Sequence, residues 1–223
     1  MQLYFVRHGQ TQFNVEKRFQ GGSADSPLVE AGINGAKAAG NYLSQIQFAQ
    51  VYSSPQGRAL DTAKLITAEN RWRPAITVEP RFSEFDFGSW DGQLEKDVEP
   101  KDQLEKVINQ PEAYQPELAN GGETYPEFMA RTTAAVHAAV AKAGVDNPLP
   151  VLIVSHGLVT TMTIKTLMGV PISGLRDPFI VDGQTLHTIG HGIVDNDSLT
   201  IVETTDNQNF KLKTWNETSY LAD

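Results

Sequence analysis

Cysteine is absent from the 223 residues of this chain. Its absence excludes disulfide bonds and thiolate nucleophiles, and it removes the ligand that most structural zinc sites use. An excess of basic residues is also lacking, because 18 Lys and Arg stand against 27 Asp and Glu, giving a formal net charge of −9. Nucleic-acid phosphates are held by dense positive surfaces, so this charge argues against a dedicated nucleic-acid-binding protein.

Long apolar segments are lacking as well, and no signal peptide is expected. No stretch approaches the roughly 18 apolar residues that a membrane span needs. The first residues, MQLYFVRHGQ, reach Arg7 without the basic start and long apolar run of a signal peptide. We therefore expect a soluble, cytoplasmic protein with no membrane partner. Its length predicts one domain over residues 1–223 with a core that needs no covalent support.

Short apolar runs predict buried strands at residues 3–6, 50–53, 76–78 and 151–155. Apolar or small residues at helical spacing predict helices at 32–46, 57–66, 125–143 and 158–168. Residues 186–193 and 198–202 alternate and predict a closing hairpin. We read residues 90–123 as a mobile, mostly helical or irregular excursion from the core. This order predicts a three-layer α/β/α fold with a largely parallel central sheet.

Three polar clusters follow three of the predicted strands: Arg7-His8-Gly9, Ser53-Ser54-Pro55 and Ser155-His156-Gly157. Ligands of such sheets bind beyond the carboxyl ends of the strands, so these clusters are expected at one site. Neutral imidazole is a competent nucleophile, and guanidinium groups hold phosphoryl oxygens in pairs. A carboxylic acid among apolar neighbours can supply a proton, and Glu84 lies between phenylalanines in sequence. The pattern favours phosphoryl transfer without a metal.

The chain resembles the histidine phosphatase superfamily, the phosphoglycerate mutase-like family, and within it the phosphatase branch. Arg7-His8-Gly9-Gln10-Thr11, with Asn14, resembles the RHGxTxxN signature of that family. Four further segments match in the family's order: Ser53-Ser54-Pro55 with Arg58, Glu84 to Gly92, Gly121-Gly122-Glu123-Thr124 with Arg131, and Ser155-His156-Gly157. One departure is that Gln56-Gly57 stands where the family has a leucine before the arginine.

The resemblance implies a role for each matching residue. His8 would attack phosphorus and become phosphohistidine, while Arg7, Arg58 and His156 would bind the phosphoryl oxygens. Glu84 would protonate the leaving group and then accept a proton from water. Further phosphate or substrate contacts are expected from Asn14, Gln20, Gly21 and Gly157, where the helix N-terminus at Gly157 and Leu158 suits an anion. No metal or other cofactor is expected.

Some residues have simpler interpretations. Asp86, Asp91 and Glu123 are nearby alternatives to Glu84 as the acid. His137 is expected to be structural. His187 and His191 are expected to pack in the hairpin, with a role beside the site left open.

The same resemblance leaves three functions open. The favoured one is a phosphomonoesterase acting on a small phosphorylated metabolite, because the interval from Glu84 to His156 is short and contains no Arg-Arg pair for a carboxylated substrate. The alternative is a phosphoglycerate mutase, for which 2,3-bisphosphoglycerate would be the cofactor. A non-catalytic module that binds a phosphorylated ligand is the third possibility. The oligomeric state is not readable from the sequence.

Overall fold

A six-stranded sheet forms the centre of the computed structural model, which describes residues 1–221. Its strands are β1 (Gln2–Arg7), β2 (Gln50–Ser53), β3 (Ile76–Val78), β4 (Val151–Ser155), β7 (Leu199–Thr204) and β8 (Phe210–Glu217). The order is β3-β2-β4-β1-β7-β8. The first four strands pair in parallel, and β7 pairs antiparallel with both of its neighbours, β1 and β8. Strands β5 (Ile180–Val181) and β6 (Gln184–Thr185) pair separately. The predicted largely parallel sheet is confirmed.

In the described residues, six α-helices accompany the sheet: α1 (Gln12–Glu16), α2 (Glu30–Tyr42), α3 (Gly57–Glu69), α4 (Lys101–Asn109), α5 (Tyr125–Ala143) and α6 (Gly157–Leu167). Apolar residues of α2 and α3, such as Ala39 and Ile66, share a core with one face of the sheet. Residues of α5 and α6, such as Val136 and Met162, share the core on the other face. The fold is therefore the three-layer α/β/α arrangement expected from the sequence.

The alternation of side chains along the central strands explains why both faces of the sheet are covered. In β1, Leu3 and Phe5 belong to the core beneath α5 and α6, whereas Val6 belongs to the core beneath α2 and α3. Successive side chains of a strand point to opposite faces, so a strand buried on both sides must be apolar throughout. All five residues of β4 are buried.

Residues 82–114 are more closely tied to the core than an excursion would be. Phe82, Phe85, Trp90, Val107 and Tyr114 are all buried in the core on the α5 and α6 face. Short helical turns and α4 connect them. The mobility expected of residues 90–123 stays a prediction.

The expected closing hairpin is wrong in its pairing. β7 pairs with β8, whereas residues 186–193 hold only an isolated bridge between Ile189 and Ile193. Both isoleucines line a cavity, so their apolar side chains are used in packing rather than in a strand ladder. Within residues 1–221, no helix combines the length and the apolar character that crossing a bilayer would require.

Candidate active site

The carboxyl ends of β1, β2 and β4 bring the three polar clusters together, as the sequence predicted. Arg7 lies opposite Ser155 in the parallel pairing of β1 with β4, and the His8 N–H donates to the Ser155 carbonyl at 2.9 Å. The next residue of each strand is a histidine, and the rings of His8 and His156 are 5.2 Å apart between centroids. Both side chains are buried.

The hydrogen bond of His8 determines which of its ring nitrogens can act as a nucleophile. Nδ1 lies 2.8 Å from the carbonyl oxygen of Gly9, and because a carbonyl only accepts, Nδ1 carries the hydrogen. Nε2 therefore keeps its lone pair. Burial, followed by the charges of Arg58 and Arg7, lowers the pKa of His8 well below its usual value. The imidazole is neutral near neutral pH, as nucleophilic attack on phosphorus requires.

Arg58 holds the reacting nitrogen of His8 and connects it to the loop before α2. Its Nε–H donates toward His8 Nε2 at 3.3 Å. The other four guanidinium hydrogens go to Asp25 Oδ1 at 2.9 Å and to the carbonyls of Ala24, Gln20 and Gly21 at 2.8 to 3.1 Å. Only the Nε–H thus faces the reacting atom, and it is the donor that an entering phosphoryl oxygen would meet.

Three buried side-chain nitrogens near this site lack protein partners within residues 1–221. These are Nε of Arg7, Nδ1 of His156 and Nε2 of Gln20. The Arg7 guanidinium is otherwise held by the Val194 carbonyl at 2.6 Å, and burial lowers its pKa to about 10, so it stays charged at neutral pH. Buried polar groups are normally paired, so these three nitrogens mark a place where a ligand would complete the site.

Glu84 is the buried carboxyl group of the site. Oε1 accepts from the N–H of Phe85 at 2.9 Å, and Oε2 accepts from the N–H of Leu158 at 3.2 Å. Burial raises its pKa, against the opposing effect of these hydrogen bonds and of Arg58 and Arg7. A raised pKa favours the protonated form, which a proton donor needs.

A backbone N–H at the amino terminus of α6 binds the Glu84 carboxyl group rather than a free anion. We expected the N–H groups of Gly157 and Leu158 to bind phosphate, but the Leu158 N–H is bonded to Glu84, so this expectation is wrong for Leu158. The reason is that the Glu84 carboxyl group lies at the start of α6 and already accepts from this N–H. Gly157 instead allows close approach of Arg7, whose Nε would be 3.3 Å from an added Cβ.

Arg131 of α5 fixes the segment that carries Glu84. Its guanidinium donates to the carbonyls of Arg81, Ser83 and Glu84 at 2.6 to 3.0 Å, and it pairs with Glu123 at 2.5 Å. This explains the matching segment around residues 121–131, for which the sequence offered no chemical role.

The other carboxyl groups considered as the acid have partners elsewhere. Glu123 pairs with Arg131, Asp91 accepts from the N–H of Gly21, and Asp86 accepts from the N–H of Gly88. None of the three lines the cavity. In the part of the chain that the structure describes, no three His, Asp or Glu side chains are grouped as metal ligands would be.

The remaining predicted contacts differ in how they are placed. Asn14 lines the cavity, and its Oδ1 accepts from the N–H of Thr11, which leaves its amide hydrogens available to a ligand. Gln20 also lines the cavity, and its buried Nε2 has no partner among residues 1–221. Gly21 uses its N–H on Asp91 and its carbonyl on Arg58, so it holds the arginine in place.

A cavity of about 520 Å³ opens from His8, Arg7 and Glu84. Apolar side chains, including Phe13, Phe19, Phe87, Leu158 and Ile193, line its walls. Charged side chains also line it: Lys17, Arg18, Arg176 and Glu95, together with His191.

The remaining histidines differ in their position relative to the cavity. His191 lies beside it, with Nε2 2.8 Å from Glu95 Oε1, whereas His187 is largely exposed. His137 contacts Asn207 and Phe210, as a structural histidine would.

Sequence reasoning did not identify several residues that support the site. Asp25 pairs with Arg58, and the Asn196 amide donates to the His8 carbonyl at 2.9 Å. Gln56, noted only as a departure from the family pattern, contacts His156 at 3.0 Å. Asp25 lies in an Asp-x-Pro segment that gave a weak signal, whereas nothing in the local sequence marks Asn196.

Comparison with known proteins gives the family to which this fold and this site belong. The family model described as "Histidine phosphatase superfamily (branch 1)" matches residues 3–218. The chain belongs to this superfamily. The expectation drawn from the sequence motifs is thereby confirmed.

Individual relatives include phosphatases and mutases by name. "Probable phosphoglycerate mutase GpmB" of Proteus mirabilis is 30% identical over 214 residues, which cover 85% of this chain and 93% of that protein. The solved structure of Bacillus stearothermophilus YhfR has a TM-score of 0.84 and 29% identity, covering 99% of both chains. A mycobacterial glucosyl-3-phosphoglycerate phosphatase in complex with VO3 has a TM-score of 0.74 and 27% identity, covering 96% of this chain and 98% of the other.

Proposed function

We propose that this protein is a phosphomonoesterase that hydrolyses a small phosphate monoester through a phosphohistidine on His8. The observation that carries the proposal is the tautomer of His8. Its Nδ1–H is held by the Gly9 carbonyl, so the Nε2 lone pair lies among Arg58, Arg7 and His156, with Glu84 buried in the same cavity.

The first step forms the bond between His8 Nε2 and phosphorus and breaks the bond between phosphorus and the ester oxygen. Glu84 gives its proton to that oxygen as the alcohol leaves. The negative charge lies on the phosphoryl oxygens, and the unpartnered Nε–H of Arg7 and the Nε–H of Arg58 would stabilise it, together with Nδ1 of His156 when that ring is protonated.

The second step returns His8 to its starting state. Water attacks phosphorus, the Glu84 carboxylate accepts a proton from it, and the bond to Nε2 breaks. Inorganic phosphate and neutral His8 result. No metal has a role in either step, so we expect activity in excess EDTA and inhibition by vanadate, which occupies the related mycobacterial phosphatase as VO3.

A phosphoglycerate mutase is the second candidate, favoured by the name of the Proteus mirabilis relative. Lys17, Arg18 and Arg176 line the cavity and would suit the carboxylate of phosphoglycerate. In that case a second substrate hydroxyl, rather than water, would take the phosphoryl group from His8, and 2,3-bisphosphoglycerate would be the cofactor.

Two assays separate the candidates. Hydrolysis of p-nitrophenyl phosphate in excess EDTA that is blocked by vanadate and lost in His8→Ala supports the phosphomonoesterase. An inert wild-type protein would instead leave a module that binds phosphorylated ligands. With 3-phosphoglycerate, rapid isomerisation that depends on 2,3-bisphosphoglycerate and releases little phosphate would establish the mutase.

A further inference from the structure

Gln56 is a buried polar side chain placed where the family pattern has leucine. It lies at the start of α3, with both ends of its amide bonded. Nε2 donates to the Gly22 carbonyl at 2.9 Å, while Oε1 lies 3.0 Å from His156 Nε2 and accepts from the Ser54 hydroxyl. Because Nε2 must face a carbonyl, the amide cannot turn over without breaking this bond.

The fixed amide determines where His156 holds its hydrogen. The oxygen of Gln56 only accepts, so the ring nitrogen that faces it must donate. Ser54 Oγ lies 2.6 Å from the same nitrogen, and since its own hydrogen goes to Gln56, it too accepts from His156. The Nε2–H tautomer follows. Nδ1, which is buried without a partner among residues 1–221, then carries only a lone pair.

A lone pair at Nδ1 repels a phosphoryl oxygen, so a neutral His156 in this tautomer cannot bind one. We propose that Gln56 is a positioning residue that makes His156 bind the phosphoryl group only as the imidazolium, so that anion binding takes up a proton. With leucine at this position, His156 Nε2 could accept from the Ser54 hydroxyl, and a neutral ring could donate from Nδ1.

Burial, followed by the positive charges of nearby groups, lowers the pKa of His156, so the ring is neutral before binding. These cations are Arg58 of α3, Arg7 at the end of β1 and Arg131 of α5; the neighbouring His8 would oppose a second positive charge in the same way, and the Glu84 carboxyl group is bonded to the start of α6 beside the ring. A dianionic ligand brings the opposing charge.

Sulfate is the probe of choice, because it remains a dianion throughout the working pH range and needs no turnover. Calorimetric titrations in buffers of different ionisation enthalpy count the protons taken up. We expect Gln56→Leu to take up fewer protons than wild type, by up to one per sulfate. In the pH range where wild type takes up one proton on binding, its affinity for sulfate should fall about tenfold for each unit by which the pH rises. The affinity of Gln56→Leu should depend much less on pH.

The tautomer is read directly from the ring ¹⁵N shifts of His156, assigned with His156→Gln. Wild type should show the Nε2–H form and Gln56→Leu the Nδ1–H form. Gln56→Glu, which keeps the acceptor and adds a charge, should show an imidazolium before sulfate is added. Equal proton uptake and the same tautomer in wild type and Gln56→Leu would overturn the proposal.

The role of Gln56 in catalysis rests on the proposed function, whereas its effect on the His156 tautomer and on sulfate binding does not. Sulfate binding and the tautomer are measured without hydrolysis, so a protein that binds phosphorylated ligands without turnover would still show them. Conversely, active hydrolysis with an unchanged tautomer in Gln56→Leu would reject the role of Gln56 and leave the phosphomonoesterase intact.

Discussion

His8 and Glu84 are two buried groups whose pKa values move in opposite directions for the same reason. Burial disfavours the charged form of any group. It lowers the pKa of His8 and raises that of Glu84. The imidazole of His8 is thereby kept neutral, and the carboxyl group of Glu84 is shifted toward its protonated form. These are the states that the proposed first step, phosphoryl transfer to His8, would require.

The first residue-scale prediction concerns Glu84→Gln and the leaving group. The variant cannot donate a proton, and general acids contribute about 10²- to 10⁴-fold to rate. For an alkyl phosphate, whose alkoxide leaves poorly, kcat/KM should fall within that range. For p-nitrophenyl phosphate, whose phenolate leaves without a proton, the loss should be much smaller. Equal losses for the two substrates would contradict the role of Glu84 as an acid.

The same variant also has a predicted effect on stability. Folding raises the pKa of Glu84 above its value in the unfolded chain. The Glu84 side chain therefore contributes its full stability below the pKa of the unfolded chain, and this stability is lost as the pH rises through the pKa of the folded protein. Glu84→Gln is neutral at every pH. Its amide nitrogen would meet one of the two backbone N–H groups that Glu84 accepts, which costs stability equally at every pH. The Tm of the variant relative to wild type should therefore rise as the pH increases through this window, and a Tm difference that does not change with pH would contradict the raised pKa.

The position of the candidate catalytic residues at one edge of the sheet could be predicted from the sequence, whereas the residues that support them could not. Arg7, His8 and His156 follow apolar runs directly, so their position at one sheet edge follows from the strand pattern. Gln56 reaches His156 across 100 residues, and Asn196 reaches His8 across 188. Such contacts depend on how loops pack, which no local periodicity reports.

At the scale of whole elements, α2 and the loop that follows β1 approach each other more closely than side chains would allow. A Cβ on Gly9 would lie 2.5 Å from the Gly32 carbonyl oxygen, and a Cβ on Gly32 would lie 2.2 Å from the Gln10 carbonyl oxygen. The glycine that follows His8 is thus needed for this packing. It lets α2 support the backbone that carries the nucleophile.

The element-scale prediction is a test of this contact with Gly32→Ala. Alanine is the better helix former by about 1 kcal/mol. The added methyl group would clash with backbone rather than a movable side chain, and overpacking costs typically about 1–3 kcal/mol. The 2.2 Å approach to the Gln10 carbonyl oxygen puts this cost in the upper part of that range, about 2–3 kcal/mol. We therefore expect a net loss of about 1–2 kcal/mol, a Tm lower by roughly 2–8 °C, and a reduced kcat/KM.

Asn34→Ala is the matched control, because residue 34 is an exposed position of the same helix. It gains helix propensity without a close contact, so its Tm and kcat/KM should stay near wild type. If Gly32→Ala behaves like this control, the close approach of α2 does not support the site.

Helices and strands could be predicted where the burial of one face gives the sequence a regular spacing of apolar residues. Segments without such a spacing could not be predicted. The stripe of Ala36 and Ala39 on α2, with Leu43 directly after the helix, is buried as expected. The strand β8 was not predicted, and residues 186–193 were assigned to a hairpin that they do not form. In both cases the pairing partner is decided by tertiary packing, because an alternating pattern fits a strand and a cavity wall equally well.

At the scale of the whole molecule, the charge of the body and that of the cavity are opposed. The chain has a net charge of −9, yet four basic side chains and two acidic ones line the cavity: Arg7, Lys17, Arg18 and Arg176 against Glu84 and Glu95. A single phosphate group is attracted to the cavity, whereas a long polyanion also meets the acidic surface around it.

The whole-molecule prediction compares a 5′-mononucleotide with a 5′-phosphorylated oligonucleotide. At low ionic strength the oligonucleotide should have the lower kcat/KM, and added salt should narrow the difference by screening the repulsion. An oligomer of equal length with an uncharged methylphosphonate backbone controls for size. If the charged and uncharged oligomers are hydrolysed equally at low salt, the acidic body does not select against polyanions.

The most direct test of the proposed mechanism is the detection of a phosphoryl group on His8 during turnover. The protein would be mixed with substrate, quenched rapidly under alkaline conditions that preserve phosphohistidine, and mapped by mass spectrometry. We predict a phosphoryl group on His8 in wild type, a higher level in Glu84→Gln with p-nitrophenyl phosphate, and none in His8→Ala. Sustained hydrolysis by the His8→Ala variant, or a phosphoryl group on another residue, would contradict the mechanism.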